Sequence, residues 1–322
     1  MKKLLSLSLM AGISAALLVF LFSKIHFQSV IKVIVKANII YFFWAFISMG
    51  VIYVVCLYRW KMLLDAQDIK VPFKRVLRAF SGGIFFSLFP ASIVGGDVAR
   101  SVDLGMHTKR HEMVVATVLL DRLSGFVGLV IVAIASLAFG ARFIDEKVIY
   151  YADFFLLILL SVILVVIFSE KVNKRLNRRE HKKGSIKDII RSLHSELYFF
   201  RSKPLVLVLN VFYSIIIQAG SSLTTYFILL CLNSGIKIYY PFIINPIVTV
   251  ISMLPSIGGL GPRDLSSVSF YTKVGLTKDV ALAQSLLSFA LIVVVGLIGG
   301  IIYVFTLHHR RLQPDKADNG IK

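Results

Sequence analysis

Apolar runs at 4–22, 38–58, 113–139, 152–168, 204–232 and 280–307 alternate with shorter polar stretches along the chain. A run of about 20 residues makes a helix about 30 Å long, the thickness of a bilayer's hydrocarbon core. The six runs therefore predict six transmembrane helices. Two further apolar stretches break the pattern: 79–96 is interrupted by Pro90 and Gly95-Gly96, and 241–261 by Pro255 and Gly258-Gly259. From 79 to 89 the helix would reach only about 16 Å, roughly half the core. Each stretch is thus predicted to enter and leave on one side as a re-entrant hairpin. Pro90 and Pro255 lie 165 positions apart, one in each half of the 322 residues. Broken apolar segments at matching positions of two halves point to a transporter's binding site. Between 186 and 200, Ile186, Ile189, Ile190, Leu193 and Leu197 share one helical face. That spacing predicts an amphipathic helix on the membrane surface.

Charge orients these elements. The formal net charge is +19, and the mean hydropathy is +0.82 with 57% hydrophobic residues. The basic residues concentrate in 59–78, 97–111, the 11 Lys/Arg of 170–203, and the start of a polar tail at 308–322. With both broken segments re-entrant and the termini cytoplasmic, all four stretches fall inside, as basic loops do. A first hairpin that crossed fully would put 170–203 outside. The expectation is an all-α polytopic protein of the cytoplasmic (inner) membrane with one domain over 1–307. Its halves, about 1–140 and 150–307, would form an inverted repeat, and the helix near 186–200 would lie on the cytoplasmic face. The basic loops suit anionic lipid headgroups. No recognition motif accompanies the charge, so nucleic acid is not an expected partner. Met1-Lys2-Lys3 and 4–22 start like a signal peptide, but no small-residue cleavage site follows, so a retained first helix is expected. Cys56 and Cys231 sit in apolar runs as packed thiols.

The chemistry concentrates where the broken segments end. Gly95-Gly96-Asp97 reads as a turn and helix start with Asp97 as N-cap, leaving N–H groups that attract an anion. Arg100, one turn on, adds forked donors suited to phosphate. The plainer alternative is an i,i+3 pair of Asp97 with Arg100. The same residue types recur at Gly258-Gly259 and Arg263-Asp264, which strengthens the binding reading. Asp121 and Arg122 interrupt the 113–139 run, where ionisable groups are costly and face a cavity or partner. Asp121, Gly125 and Gly128 share a face that lets another helix approach. Ser214, Gln218, Ser221, Ser222 and Thr225 form a polar stripe, joined by Asn245, Thr249 and Ser252 and by Gln284, Ser285 and Ser288. Such stripes usually bond helices together, and collectively these also suggest a polar cleft. His107 and His111 lack a further ligand for a metal. No P-loop, HExxH or Ser-His-Asp ordering is present, so no cofactor and no enzymatic activity are expected.

At Pro90…Gly95-Gly96-Asp97-Val98-Ala99-Arg100 and Pro255…Gly258-Gly259-Leu260-Gly261-Pro262-Arg263-Asp264, the chain resembles the transmembrane, flippase-like region of bacterial lysylphosphatidylglycerol synthases and its stand-alone relatives. The resemblance spans roughly 4–307. It implies handling of a phospholipid, isoprenoid-linked lipid or cell-envelope intermediate. Two departures stand out: Asp264 replaces the Glu usual after the second Arg, and the chain stops at Lys322 without a soluble transfer domain. The expected function is therefore translocation or binding of an anionic lipid, with Arg100 and Arg263 on its headgroup and Asp97, Asp121 and Asp264 positioning them or exchanging protons. The alternatives are a membrane-embedded transferase or hydrolase using those aspartates as bases, and a non-transporting partner of an envelope-synthesis enzyme. A homo-oligomer is compatible with either.

Overall fold

The computed structural model describes residues 27–88, 92–140, 147–177, 186–252 and 261–311. The predicted first span at 4–22, both key prolines, Gly258, Gly259 and the end of the tail lie outside these residues. Every described element is helical. In chain order they are α1 (Phe27–Val35), α2 (Ile39–Ala66), α3 (Phe73–Phe86), α4 (Ser92–Thr108), α5 (His111–Gly140) and α6 (Lys147–Phe168). There follow α7 (Glu170–Asn177), α8 (Ile186–Phe199), a short 3-10 turn (Phe200–Ser202), α9 (Pro204–Cys231), α10 (Tyr239–Ile251), α11 (Pro262–Lys273) and α12 (Lys278–Arg311).

Among the described residues, four helices are long and apolar enough to cross a membrane: α2, α5, α9 and α12. Helix α6 overlies the predicted span at 152–168. Exposed apolar side chains recur along these helices, as at Phe43, Val51 and Val54 on α2 and Leu297, Ile301 and Phe305 on α12. Helices can expose such faces to lipid because their backbone bonds are all internal.

Local chemistry sets the ends. The Asn38 side chain accepts from Ile40 N at 3.1 Å and caps α2. Pro204 and Pro262 open α9 and α11 at positions where a missing N–H costs nothing. Lys109, at φ 56°, turns α4 into α5 within two residues. The broken stretch from 79 to 96 forms a helical hairpin, as expected, but with longer arms. Arm α3 starts at Phe73, and α2 runs through Ala66, so most of the basic stretch 59–78 is helix rather than loop. Arms α3 and α4 are antiparallel: Arg78 pairs with Asp103, and Gly83 meets Gly96 nearer the tip.

The two halves repeat this order. Ile39, Phe73, Ser92 and His111 open α2, α3, α4 and α5, while Pro204, Tyr239, Pro262 and Lys278, each 165 to 170 positions later, open α9, α10, α11 and α12. Packing obeys the same exchange. Arm α3 packs on α12 and α10 packs on α5, so each hairpin's first arm lies on the other half's last helix. The equivalent helices α2 and α9 run antiparallel along their length. Asn38 N bonds Cys231 O at 2.8 Å at one end, Arg59 meets Ser214 at 2.7 Å midway, and Lys203 Nζ reaches Ala66 O at 2.7 Å at the other.

Helix α8 falls where the amphipathic pattern put it, but its partner differs. Leu197, with Phe200 just beyond, is buried in one apolar cluster with Leu63, Ala116 and Leu120, so the C-terminal end of that face covers protein, while the side chains of 186–190 lie outside the described residues.

Candidate functional site

Helix α2 carries Arg59 and Trp60, arm α4 carries Asp97 and Arg100, and α5 carries Asp121 and Arg122. Asp121 is 4% exposed and bonded on both oxygens: Arg59 Nε donates to Oδ1 at 2.8 Å and Arg100 Nη2 to Oδ2 at 3.1 Å. The other end of Arg59 donates to Ser214 Oγ on α9 at 2.7 Å. Arg100 Nε donates to Asp97 Oδ1 at 3.1 Å, and Arg122 grips the same carboxylate with Nε at 2.6 Å and Nη2 at 3.2 Å. The groups form one chain: Ser214, Arg59, Asp121, Arg100, Asp97, Arg122. Three guanidinium groups against two carboxylates leave one formal positive charge.

The cation at the end of that chain is the accessible one. Arg59 and Arg100 are buried, with 7% and 6% of their side chains exposed, whereas Arg122 keeps 47%. Arg100 is further enclosed by aromatic faces, its guanidinium lying 4.9 Å from the Trp60 ring centre and 5.9 Å from that of Phe80. Trp60 is itself fixed by donating to Thr117 Oγ1 at 3.2 Å. Such stacking holds a cation without spending its hydrogen bonds.

The predicted turn and N-cap at Gly95-Gly96-Asp97 are corrected. All three residues lie inside α4, whose first residue is Ser92. A Cβ on Gly96 would sit 2.3 Å from Gly83 O, so the glycine is there for contact between the arms. The i,i+3 pairing of Asp97 with Arg100 does form, at 2.9 Å, as one link of the larger network. The shared face of Asp121, Gly125 and Gly128 also meets a helix: a Cβ on Gly128 would lie 2.6 Å from the Ser214 backbone of α9.

The second motif uses its charges differently. Asp264, fully buried at the start of α11, accepts from Gly261 N at 2.9 Å, from Arg263 at 3.3 Å and from Ser285 Oγ at 2.5 Å. Gly261 takes φ 91°, a conformation open to glycine. Arg263 also donates to Ser285 Oγ at 3.1 Å and lies 5.1 Å from the centre of the Phe289 ring. Arginine on an aromatic face, paired with an aspartate, thus recurs in both halves.

Two adjoining cavities open between the halves. The first, 350 Å³, is lined by Gly96, Asp97, Arg59, Arg100, Asp121 and Arg122. The second, 460 Å³, is lined by Arg263 and the polar stripe from Ser221 to Ser288. Arg122, Tyr53, Gln218 and Thr249 border both. Both volumes suit a small organic ligand. Arg100 and Arg263 therefore occupy different cavities, with Arg122 at the junction. Gly95 and Asp264 line neither. Arg59 falls in the basic stretch expected to be a loop, while Arg122, expected with Asp121 to face a cavity or partner, borders both cavities. The run Trp60, Leu63, Leu64 was the signal that α2 continued past Arg59.

A family-level match to the lysylphosphatidylglycerol synthase TM region covers residues 5–300. A UPF0104 membrane protein of Pyrococcus horikoshii is 21% identical over 307 residues, spanning 87% of this chain and 90% of that protein. The arginine-rich motifs that carry the buried network fall within the matched span, and by that match the chain belongs to the family of the lysylphosphatidylglycerol synthase TM region.

Proposed function

We propose that this protein binds an anionic lipid headgroup at Arg122 and moves that lipid across the cytoplasmic membrane between its two halves. The reading is supported above all by one observation: a network with one excess positive charge ends in an exposed guanidinium at the junction of two cavities. Positive charge far from bulk water draws an anion strongly, because the low local dielectric amplifies the attraction. A phosphate entering there competes with Asp97 for Arg122, while Asp97 keeps the hydrogen bond from Arg100. The antiparallel α2 and α9 and the exchanged hairpins supply two similar arrangements that rocking could interconvert, as in inverted-repeat transporters. The family's association with phospholipid synthesis agrees with a lipid cargo. Asp97 and Asp121 already hold guanidinium groups on their oxygens, which favours translocation over their use as catalytic bases. The basic stretches at 170–203 and 308–311 favour cytoplasmic termini.

The test is transbilayer movement of headgroup-labelled phosphatidylglycerol in proteoliposomes, with Arg122→Gln as the diagnostic variant. Arg122→Gln is expected to slow movement at least tenfold while keeping the fold, since its side chain is half exposed. Movement unchanged in Arg122→Gln, or absent from the native protein with every anionic lipid, would sink the proposal.

A further inference from the structure

We infer that the cleft selects an anionic lipid whose phosphate carries an uncharged, hydroxyl-bearing group, a polyol or sugar, and excludes headgroups bearing an ammonium. The inference rests on reading the cleft as a lipid-headgroup site. It concerns the second cavity, which has room beyond the phosphate and a lining unlike that of the first.

The 460 Å³ cavity carries two arginines, Arg122 and Arg263, and no carboxylate among the described residues. The carboxylate of Asp264, which pairs with Arg263, is fully buried and has three donors. Asp97 and Asp121 belong to the first cavity and are held by arginines. The sequence has no Asp or Glu before Asp65, so 1–26 cannot bring one in. An ammonium group entering this space would lose its hydration with no counter-charge and with two guanidinium groups nearby. Both effects penalise it.

The remaining polar surface is amphoteric. Ser221, Thr225, Asn245, Thr249, Gln284 and Ser288 line this side. Asn245 donates to Ser221 Oγ at 3.1 Å and accepts from Thr225 Oγ1 at 3.2 Å, an amide–hydroxyl cluster bridging α9 and α10. Gln284 is 4% exposed and donates Nε2 to Ser288 Oγ at 2.9 Å, yet its Oε1 has no partner among the described residues. A buried carbonyl oxygen without a donor is costly. The phosphate of a diester monoanion brings only acceptors and cannot satisfy it, whereas a hydroxyl both donates and accepts. Arg122 for the phosphate, with Arg263 adding positive potential, and an unfilled acceptor among hydroxyls for the remainder together describe a phosphate diester of a polyol.

Binding is measured on the detergent-solubilised full chain by native mass spectrometry and by lipid-dependent thermal shift. The panel is phosphatidylglycerol, phosphatidylmethanol (same charge, no hydroxyl), lysyl-phosphatidylglycerol, and water-soluble glycerol phosphate. Phosphatidylglycerol is expected to bind about tenfold or more tightly than phosphatidylmethanol, at roughly fivefold per hydroxyl bond. Lysyl-phosphatidylglycerol is expected to bind at least tenfold more weakly. In Gln284→Leu the preference for hydroxyls falls to within about twofold, while phosphatidylmethanol binding is kept. Equal affinity of the native protein for phosphatidylglycerol and phosphatidylmethanol overturns the polyol. Equal or tighter binding of the lysyl lipid overturns the exclusion of ammonium. Glycerol phosphate competing as well as the lipid overturns the lipid source. No saturable binding to any lipid overturns the underlying headgroup reading itself. Selective binding without movement in vesicles leaves this inference standing and removes only translocation.

Discussion

Gly95 and Gly96 are sequence neighbours on α4 for which replacement by alanine is expected to act in opposite directions. A Cβ on Gly95 would find its nearest atom, Phe86 O, at 3.8 Å, an ordinary contact. A Cβ on Gly96 would lie 2.3 Å from Gly83 O, 3.0 Å from Ser87 Cβ and 3.2 Å from Gly83 C. Carbon–oxygen contacts settle near about 3.3 Å, so the arms of the hairpin must part by about 1 Å. A gap of that size forfeits a quarter to a half of each dispersion contact across it, and overpacking of this kind costs about 1–3 kcal/mol. Both substitutions also gain helix propensity, up to about 1 kcal/mol each. That gain cancels when the variants are compared with one another, leaving the overpacking cost alone. Since the obstacle is a backbone carbonyl that no rotamer change can move, the upper end applies. Gly95→Ala should be neutral or about 1 kcal/mol more stable than the native protein, and Gly96→Ala about 2 kcal/mol less stable. Denaturation by SDS in mixed micelles, followed by circular dichroism, measures both. If the two variants unfold within about 0.5 kcal/mol of each other, α3 and α4 do not cross at Gly83 and Gly96, and the hairpin packing is wrong.

Asp121→Asn strips the charge that holds two buried arginines, Arg59 and Arg100, and should destabilise by about 3–5 kcal/mol. In the same SDS titration, adding Arg59→Gln should recover at least about 1 kcal/mol, because one uncompensated cation is removed. Additive losses would refute the network. Asp103→Asn removes the partner of Arg78, which is 4% exposed and bonded at 2.7 Å and 3.3 Å. A loss of about 1.5–3 kcal/mol is expected from the same assay.

The helices and the halves were legible because apolar length and its interruptions are properties of the sequence itself. Asp97, Arg100 and Asp121 were legible for a related reason: an ionisable group in an apolar segment stands out against its background. Three features resisted. Gly95-Gly96 was read as a turn because paired glycines destabilise a helix interior by about 1 kcal/mol each. Contact with Gly83, 13 positions away, overrides that preference, and no local pattern encodes it. Arg59 was assigned to a loop because a charge at the end of an apolar run normally marks the membrane edge. Here the charge is buried against Asp121, a residue 62 positions on. Arg122 stands out in the sequence with Asp121 as facing a cavity or partner, but not as the accessible cation. Successive residues on a helix point about 100° apart, so the direction that buries Asp121 turns Arg122 toward the cavities.

The repeat in architecture is not matched by a repeat in charge, and that difference gives the two halves distinct tasks. In the second half, Arg263 and Asp264 balance, and Asp264 is further committed to the Gly261 amide, which fixes the start of α11. In the first half, Asp97 and Asp121 face three arginines, and the excess sits on the most exposed of them. An uncompensated cation away from bulk water is unfavourable, so the first half is stabilised by any anion that reaches it, whereas the second gains little. Under the proposed function, an arriving phosphate is held from one side, with the second half's hydroxyls and amides left to whatever the phosphate carries. Asp97 couples this to the fold. It lies on α4 one residue beyond the Gly83–Gly96 crossing and accepts from Arg122 on α5. Under the same proposal, relative movement of the hairpin and α5 would lengthen the bond between Asp97 and Arg122 and free the guanidinium for the phosphate. Conversely, a phosphate that displaced Asp97 from Arg122 would remove one of two charged links between α4 and α5, the other being Arg100 with Asp121, so that headgroup binding and hairpin motion would favour one another.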